Sequence, residues 1–167
     1  MPRSPHSAAF PNQIAISKGA RENALGAITN PPGLPPITVT TRDASRLAAL
    51  VGDLFRVRDS DIAFLARELD RANIVKPDEI SDGVVTMRSL VDFWNGETGR
   101  MCRVMLAYPA EASVSENNLS VLTPVGTALL GLPEGECMPY EAADGSLRHL
   151  TVHRVVFQPE ANGMRWP

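Results

Sequence analysis

A chain of 167 residues, 44% of them hydrophobic, is long enough for one packed domain with an appendage and too short for two large ones. Its two cysteines are too few for a secreted disulfide framework, and no apolar run approaches the ~18 residues of a membrane span, so a reducing, cytoplasmic setting is expected. The net charge of −3 is unevenly spread: between Pro77 and Glu160 twelve carboxylates stand against five arginines, a net of −7 that disfavours phosphate backbones and favours a protein partner.

Residues 1–36 hold seven of the fourteen prolines and few large apolar groups, which predicts a disordered Pro-rich tail. The unit spanning 37–76 opens on Ile37-Thr38-Val39-Thr40, whose β-branched content predicts a strand added to an edge of the main sheet. From Asp43 the period changes. Leu47, Leu50, Val51 and Leu54 mark one helix face, with Thr41 or Asp43 as the cap. A break over Gly52–Asp59 follows, then a second stripe of Ile62, Leu65, Leu69 and Ala72, with Arg67, Glu68, Asp70 and Arg71 outside it and Pro77 as its end. Two amphipathic helices, arms of roughly 11 and 15 residues or ~16 to 22 Å, should form a short antiparallel hairpin.

Residues 77–161 have a β texture. Val85, Met87, Val91 and Phe93 alternate up to the turn signal Asn95-Gly96, and Cys102, Val104, Leu106 and Tyr108 alternate back to Pro109. After a polar loop, Leu119 and Val121 lead into Thr123-Pro124, an N-cap and a first helical residue, and Gly131 is placed to end that helix. Leu132-Pro133-Glu134-Gly135 suits a type I turn. A last hairpin, Glu136–Ala142 with Leu147–Phe157, turns at Asp144-Gly145, and Pro139 marks an edge strand or bulge. An antiparallel sheet with one short helix is an α+β domain.

Catalytic signatures are missing from this pattern: there is no nucleophile elbow, phosphate-cradling glycine loop or zinc spacing. His149 and His153 fall on one face of a strand but about 13 Å apart, too far to share a metal. Cys102 reads as a small hydrophobe and Cys137 as an edge-strand residue. No catalytic residue, metal or cofactor is expected.

The run Ser120, Thr123-Pro124-Val125, Ala128-Leu129-Leu130-Gly131, Gly135-Glu136 resembles the C-terminal domain of the Gre transcript-cleavage factors. Glu68-Leu69-Asp70-Arg71-Ala72, Val84-Val85-Thr86-Met87, Tyr108-Pro109-Ala110 and Gln158-Pro159-Glu160-Ala161 resemble the Rnk branch of that family, the nucleoside diphosphate kinase regulators. The resemblance implies an FKBP-like sheet domain preceded by a helical hairpin shorter than that of the Gre factors. It implies a non-catalytic transcription regulator that docks on RNA polymerase at the secondary-channel entrance and competes with Gre factors without transcript cleavage. Docking would fall to Leu122, Thr123 and Pro124, with apolar contact by an exposed Leu122 where Gre proteins can carry an acid. In the Gre factors tip carboxylates help hold a metal in the polymerase active centre, and by that resemblance the hairpin-loop residues Asp53, Asp59 and Asp61 are the candidates here. Short arms and the neighbouring Arg56 and Arg58 argue against that role, and Asp59 suits an N-cap and Asp61 a first-turn charge. A monomer is expected, with neither membrane nor sequence-specific nucleic-acid binding. The alternative is a peptidyl-prolyl isomerase or peptide-binding module, which requires Phe93, Trp94, Tyr108, Tyr140 and Phe157 to line one pocket.

Overall fold

The computed structural model describes residues 33–54 and 60–164, so nearly all of the expected tail, and Arg56, Arg58 and Asp59, lie outside the described residues. Strand β1 (Thr38–Thr40) does not join the main sheet. It runs parallel to β2 (Asn73–Val75), Thr38 opposite Asn73 and Thr40 opposite Val75. Parallel neighbours need a crossover, and helices α1 (Thr41–Leu54) and α2 (Ser60–Arg71) supply it. Ile37 and Val39 are buried in the same core as Leu47 and Leu65 of the helices, so the base of the hairpin captures this strand.

The hairpin corrects several expectations. Helix α2 ends at Arg71, well before Pro77, because the Asn73 N–H turns to the Ile37 carbonyl at 2.9 Å. The arms have 14 and 12 residues, or ~21 and ~18 Å. Asp53 therefore sits in the last turn of α1 and not in the loop. The Thr40 hydroxyl, rather than Thr41 or Asp43, accepts a first-turn N–H, that of Asp43 at 3.1 Å. Glu68 does not face solvent: it is 2% exposed and accepts the Arg71 Nε–H at 2.9 Å, while Arg71 also donates to the Pro35 carbonyl at 2.7 Å.

The main sheet has five strands in the order β5-β4-β3-β7-β6, formed by β3 (Leu90–Asn95), β4 (Arg100–Ala107), β5 (Asn118–Ser120), β6 (Cys137–Glu141) and β7 (Leu147–Phe157). Its pairs are antiparallel except β4–β5, which is parallel because a 3-10 turn at Pro109–Glu111 and a loop carry the chain back before β5 begins. No regular strand forms over Val85–Ser89, although Val85, Thr86 and Met87 are buried. There the Val85 N–H bonds the Leu132 carbonyl, the Thr86 N–H bonds Ser89 Oγ, and Arg88 adopts a φ of 64°. The Asn95 turn is longer than two residues: Asn95 Oδ1 accepts the Glu97 N–H, and the Gly99 N–H closes on the Asn95 carbonyl, both at 2.9 Å. The β6–β7 hairpin forms as expected, and Pro139 lies on the free edge strand β6.

Val91, Phe93, Leu150, Val152 and Met138 fill one face of the sheet, packed with Leu129 and Leu130 at the end of helix α3 (Pro124–Leu129). Gly131, at φ +72°, follows this helix and joins both parts of the protein. Its N–H bonds the Val85 carbonyl at 2.8 Å and its carbonyl takes the Thr38 N–H at 2.9 Å. Gln158 is buried and donates to the Ser81 and Val84 carbonyls, both at 2.8 Å, while Glu160 accepts from Thr86 Oγ1 at 2.7 Å. The C-terminal motif thus pins the irregular stretch before β3.

Candidate functional site

The loop between β5 and α3 is tightly braced. Thr123 has extended backbone angles and its Oγ1 accepts the Gly126 N–H at 3.0 Å, which is the N-cap anticipated for Pro124 at the first helical position. The same hydroxyl donates to the Ser120 carbonyl at 2.8 Å, the Leu122 N–H is held by Ser120 Oγ at 3.2 Å, and Thr127 Oγ1 donates to the Val121 carbonyl at 2.7 Å. These bonds leave Leu122, Thr123, Pro124 and Val125 half-buried. Leu122 is therefore not the exposed side chain expected: with its N–H held by Ser120 Oγ, it packs partly on the core. The loop carries no ionisable side chain. It can recognise a surface by shape and apolar contact, and it offers no acid, base or nucleophile.

Sequence reasoning underrated Asp43. This carboxylate is buried where α1 meets the sheet domain, and it accepts the Met87 N–H at 3.2 Å and the Tyr108 hydroxyl at 3.1 Å. Burial raises its pKa above the ordinary aspartate value, although its hydrogen bonds and Arg46 act the other way. Burial and the nearby Asp43 likewise push the Tyr108 hydroxyl upward. The Arg88 guanidinium lies 5.4 Å from the Tyr108 ring centroid and pairs with Glu111, whose carboxyl it holds below the usual range. The motif beginning at Tyr108 was the available signal, since a tyrosine followed by Pro109 at a strand end is well placed to reach across to another element.

The hairpin carboxylates do not form a cluster with the loop. Asp53 is exposed on α1, Asp61 is half-buried in the first turn of α2, and Asp59 lies outside the described residues. Among the described residues no group of three or more His, Cys, Asp or Glu side chains is arranged to hold a metal. His149 and His153 are both exposed on β7, Cys102 is half-buried and Cys137 exposed. The five rings of the isomerase alternative do not converge: Phe93 and Trp94 leave β3 on opposite faces, the first buried and the second 46% exposed. No helix among the described residues is long and apolar enough to cross a membrane.

Two family models match this chain, "Rnk N-terminus" over residues 35–75 and "Transcription elongation factor, GreA/GreB, C-term" over residues 74–156. The regulator of nucleoside diphosphate kinase from Escherichia coli (strain K12) is 39% identical over 129 residues, covering 77% of this chain and 95% of that protein. The transcription elongation factor GreA of Syntrophobacter fumaroxidans is 35% identical over 72 residues, 43% of this chain and 46% of the relative. Among solved structures, a GreA/GreB elongation factor from Nitrosomonas europaea superposes with a TM-score of 0.59 at 33% identity, covering 72% of this chain and 99% of that one.

Proposed function

Because the chain belongs to the Rnk family of nucleoside diphosphate kinase regulators, joined to a GreA/GreB-type C-terminal domain, we propose that it is a transcription regulator that binds RNA polymerase. It docks at the entrance of the secondary channel, competes there with Gre-type factors and does not support transcript cleavage. The observation that carries this reading is the braced loop at Leu122–Pro124, a preformed apolar surface without ionisable groups on a domain of net charge −7. Preformed loops lose little ordering entropy on binding, and an acidic domain suits a basic protein surface.

Leu122→Lys should lower the affinity for purified RNA polymerase about five- to thirty-fold, the ~1 to 2 kcal/mol of a modest interface anchor. The fold should lose no more than about 1 kcal/mol, since the lysine stem can follow the half-buried path of the leucine. A binding titration beside a thermal melt decides: unchanged affinity with an unchanged melt excludes the loop, and loss of both makes Leu122 a core residue. The same titration against purified nucleoside diphosphate kinase tests the activity carried in the relatives' name.

Lack of cleavage follows from reach and charge. Helical arms of ~21 and ~18 Å are joined through residues 55–59, whose sequence sets Arg56 and Arg58 beside Asp59. Added to stalled elongation complexes, the protein should leave the RNA 3′ end intact. Shortened transcripts that disappear with Asp53→Ala or Asp61→Ala would overturn this.

A further inference from the structure

Helix α2 and the free edge of β6 enclose a groove of about 920 Å³, and none of the docking-loop residues lines it. On the helix side the Phe64 ring carries the Arg67 guanidinium 5.6 Å from its centroid, and on the sheet side stand Pro139, Tyr140 and Glu141. Two independent observations indicate what the groove accepts.

The first is the phase of the β6 ladder. The Val152 N–H bonds the Glu136 carbonyl at 3.1 Å and the Ala142 N–H bonds the Ser146 carbonyl at 2.9 Å. Bonded and non-bonded pairs alternate along an antiparallel ladder, so the backbone groups of Cys137, Pro139 and Glu141 point away from β7, towards the open edge. Pro139 is tolerated there because its missing N–H would have faced outward. The carbonyls remain as acceptors for an added strand.

The second is charge. Asp61, Glu68, Asp70, Glu141 and Asp144 line the groove against only Arg67 and Arg71, so its walls are acidic around an aromatic floor.

We propose that this groove takes an extended, lysine- or arginine-bearing segment of a partner protein as an added strand on β6, with an apolar side chain against Phe64. The site is separate from the docking loop, so Leu122→Lys must leave it intact.

The probe is a fluorescein-labelled heptapeptide alternating lysine and valine, titrated by anisotropy against the full-length chain. Its glutamate-valine counterpart, and a version N-methylated at alternate amides, should each bind at least about tenfold more weakly, since one loses the charge match and the other the ladder bonds. Glu141→Lys should weaken the lysine peptide about fivefold or more. Equal binding of the N-methylated peptide overturns the proposal. So does a photo-crosslinker placed at Ala143 that captures residues 1–32 of the same chain instead of the peptide, because the groove is then filled from within.

Discussion

Asp43→Ala is expected to destabilise the protein by about 3 to 5 kcal/mol, because it strands two buried donors at once, each worth ~1 to 3 kcal/mol when left unpaired. The Met87 N–H and the Tyr108 hydroxyl both end on this carboxylate, at 3.2 and 3.1 Å. Asp43→Asn should cost far less: the amide oxygen can take the Met87 N–H while the amide nitrogen donates to the tyrosine oxygen. Urea denaturation of the two variants beside the wild type measures the difference, and equal losses would mean that packing, not hydrogen bonding, is what the residue contributes.

The pair also carries a pH signature. Because burial raises the folded-state pKa of Asp43, the folded protein holds a proton that the unfolded chain has already released. Stability from this residue is therefore greatest below the unfolded value of ~3.9 and falls as pH rises through the raised folded value. Glu160, also raised by burial, acts in the same direction. Asp92 and Glu111 act oppositely: Arg103 and Arg88 hold their carboxyls low, so their contribution is present above the unfolded value and lost as pH falls through the depressed one. Those pairs are solvent-exposed and correspondingly weak. Subtracting Asp43→Asn from wild type isolates the buried group, and the difference should move in favour of asparagine as pH rises from ~3.9 through the raised folded value. A flat difference would show that Asp43 ionises normally.

Gly126→Ala is expected to cost about 3 kcal/mol or more, a fall in melting temperature of roughly 10 °C, with polymerase binding reduced alongside. A Cβ at this position would meet the Ser120 carbonyl oxygen at 2.1 Å and its carbon at 2.9 Å. Backbone cannot swing aside as a side chain would. Retreat of that carbonyl would also break its bonds from the Thr123 N–H and hydroxyl, at 3.1 and 2.8 Å, which brace the loop. A variant melting within a few degrees of wild type, by the same ~3 °C per kcal/mol scale, would show the β5–α3 junction to be pliable.

What could be read from sequence was local. Thr123, Pro124 and Gly131 announce their helix because cap, first-turn proline and left-handed terminator act within a few residues of one another. Asp144-Gly145 and Pro139 place the last hairpin and its edge for the same reason. Pairings across long separations left no comparable trace. Thr38 meets Asn73 only after both helices have folded, so its strand looked available to the main sheet. Glu68 falls three residues after Leu65 on the buried stripe, and a carboxylate there reads as solvent-facing until Arg71 is known to neutralise it. Asp43 satisfies the local rule for a first-turn acid, and that reading hid its second use, since its partners lie 44 and 65 residues away.

The β1–β2 pairing also has an evolutionary consequence. The two strands clamp the feet of the helical pair side by side, and the Thr38 N–H ties that clamp to the Gly131 carbonyl. The distal end of the pair takes no part in this fastening, so adding whole turns equally to both arms leaves the socket unchanged. Doubling the length of chain between fixed ends costs only ~0.6 kcal/mol of closure entropy. Probe length can thus drift between lineages independently of the body that holds the probe, and a short or a long finger can be fitted to one and the same handle.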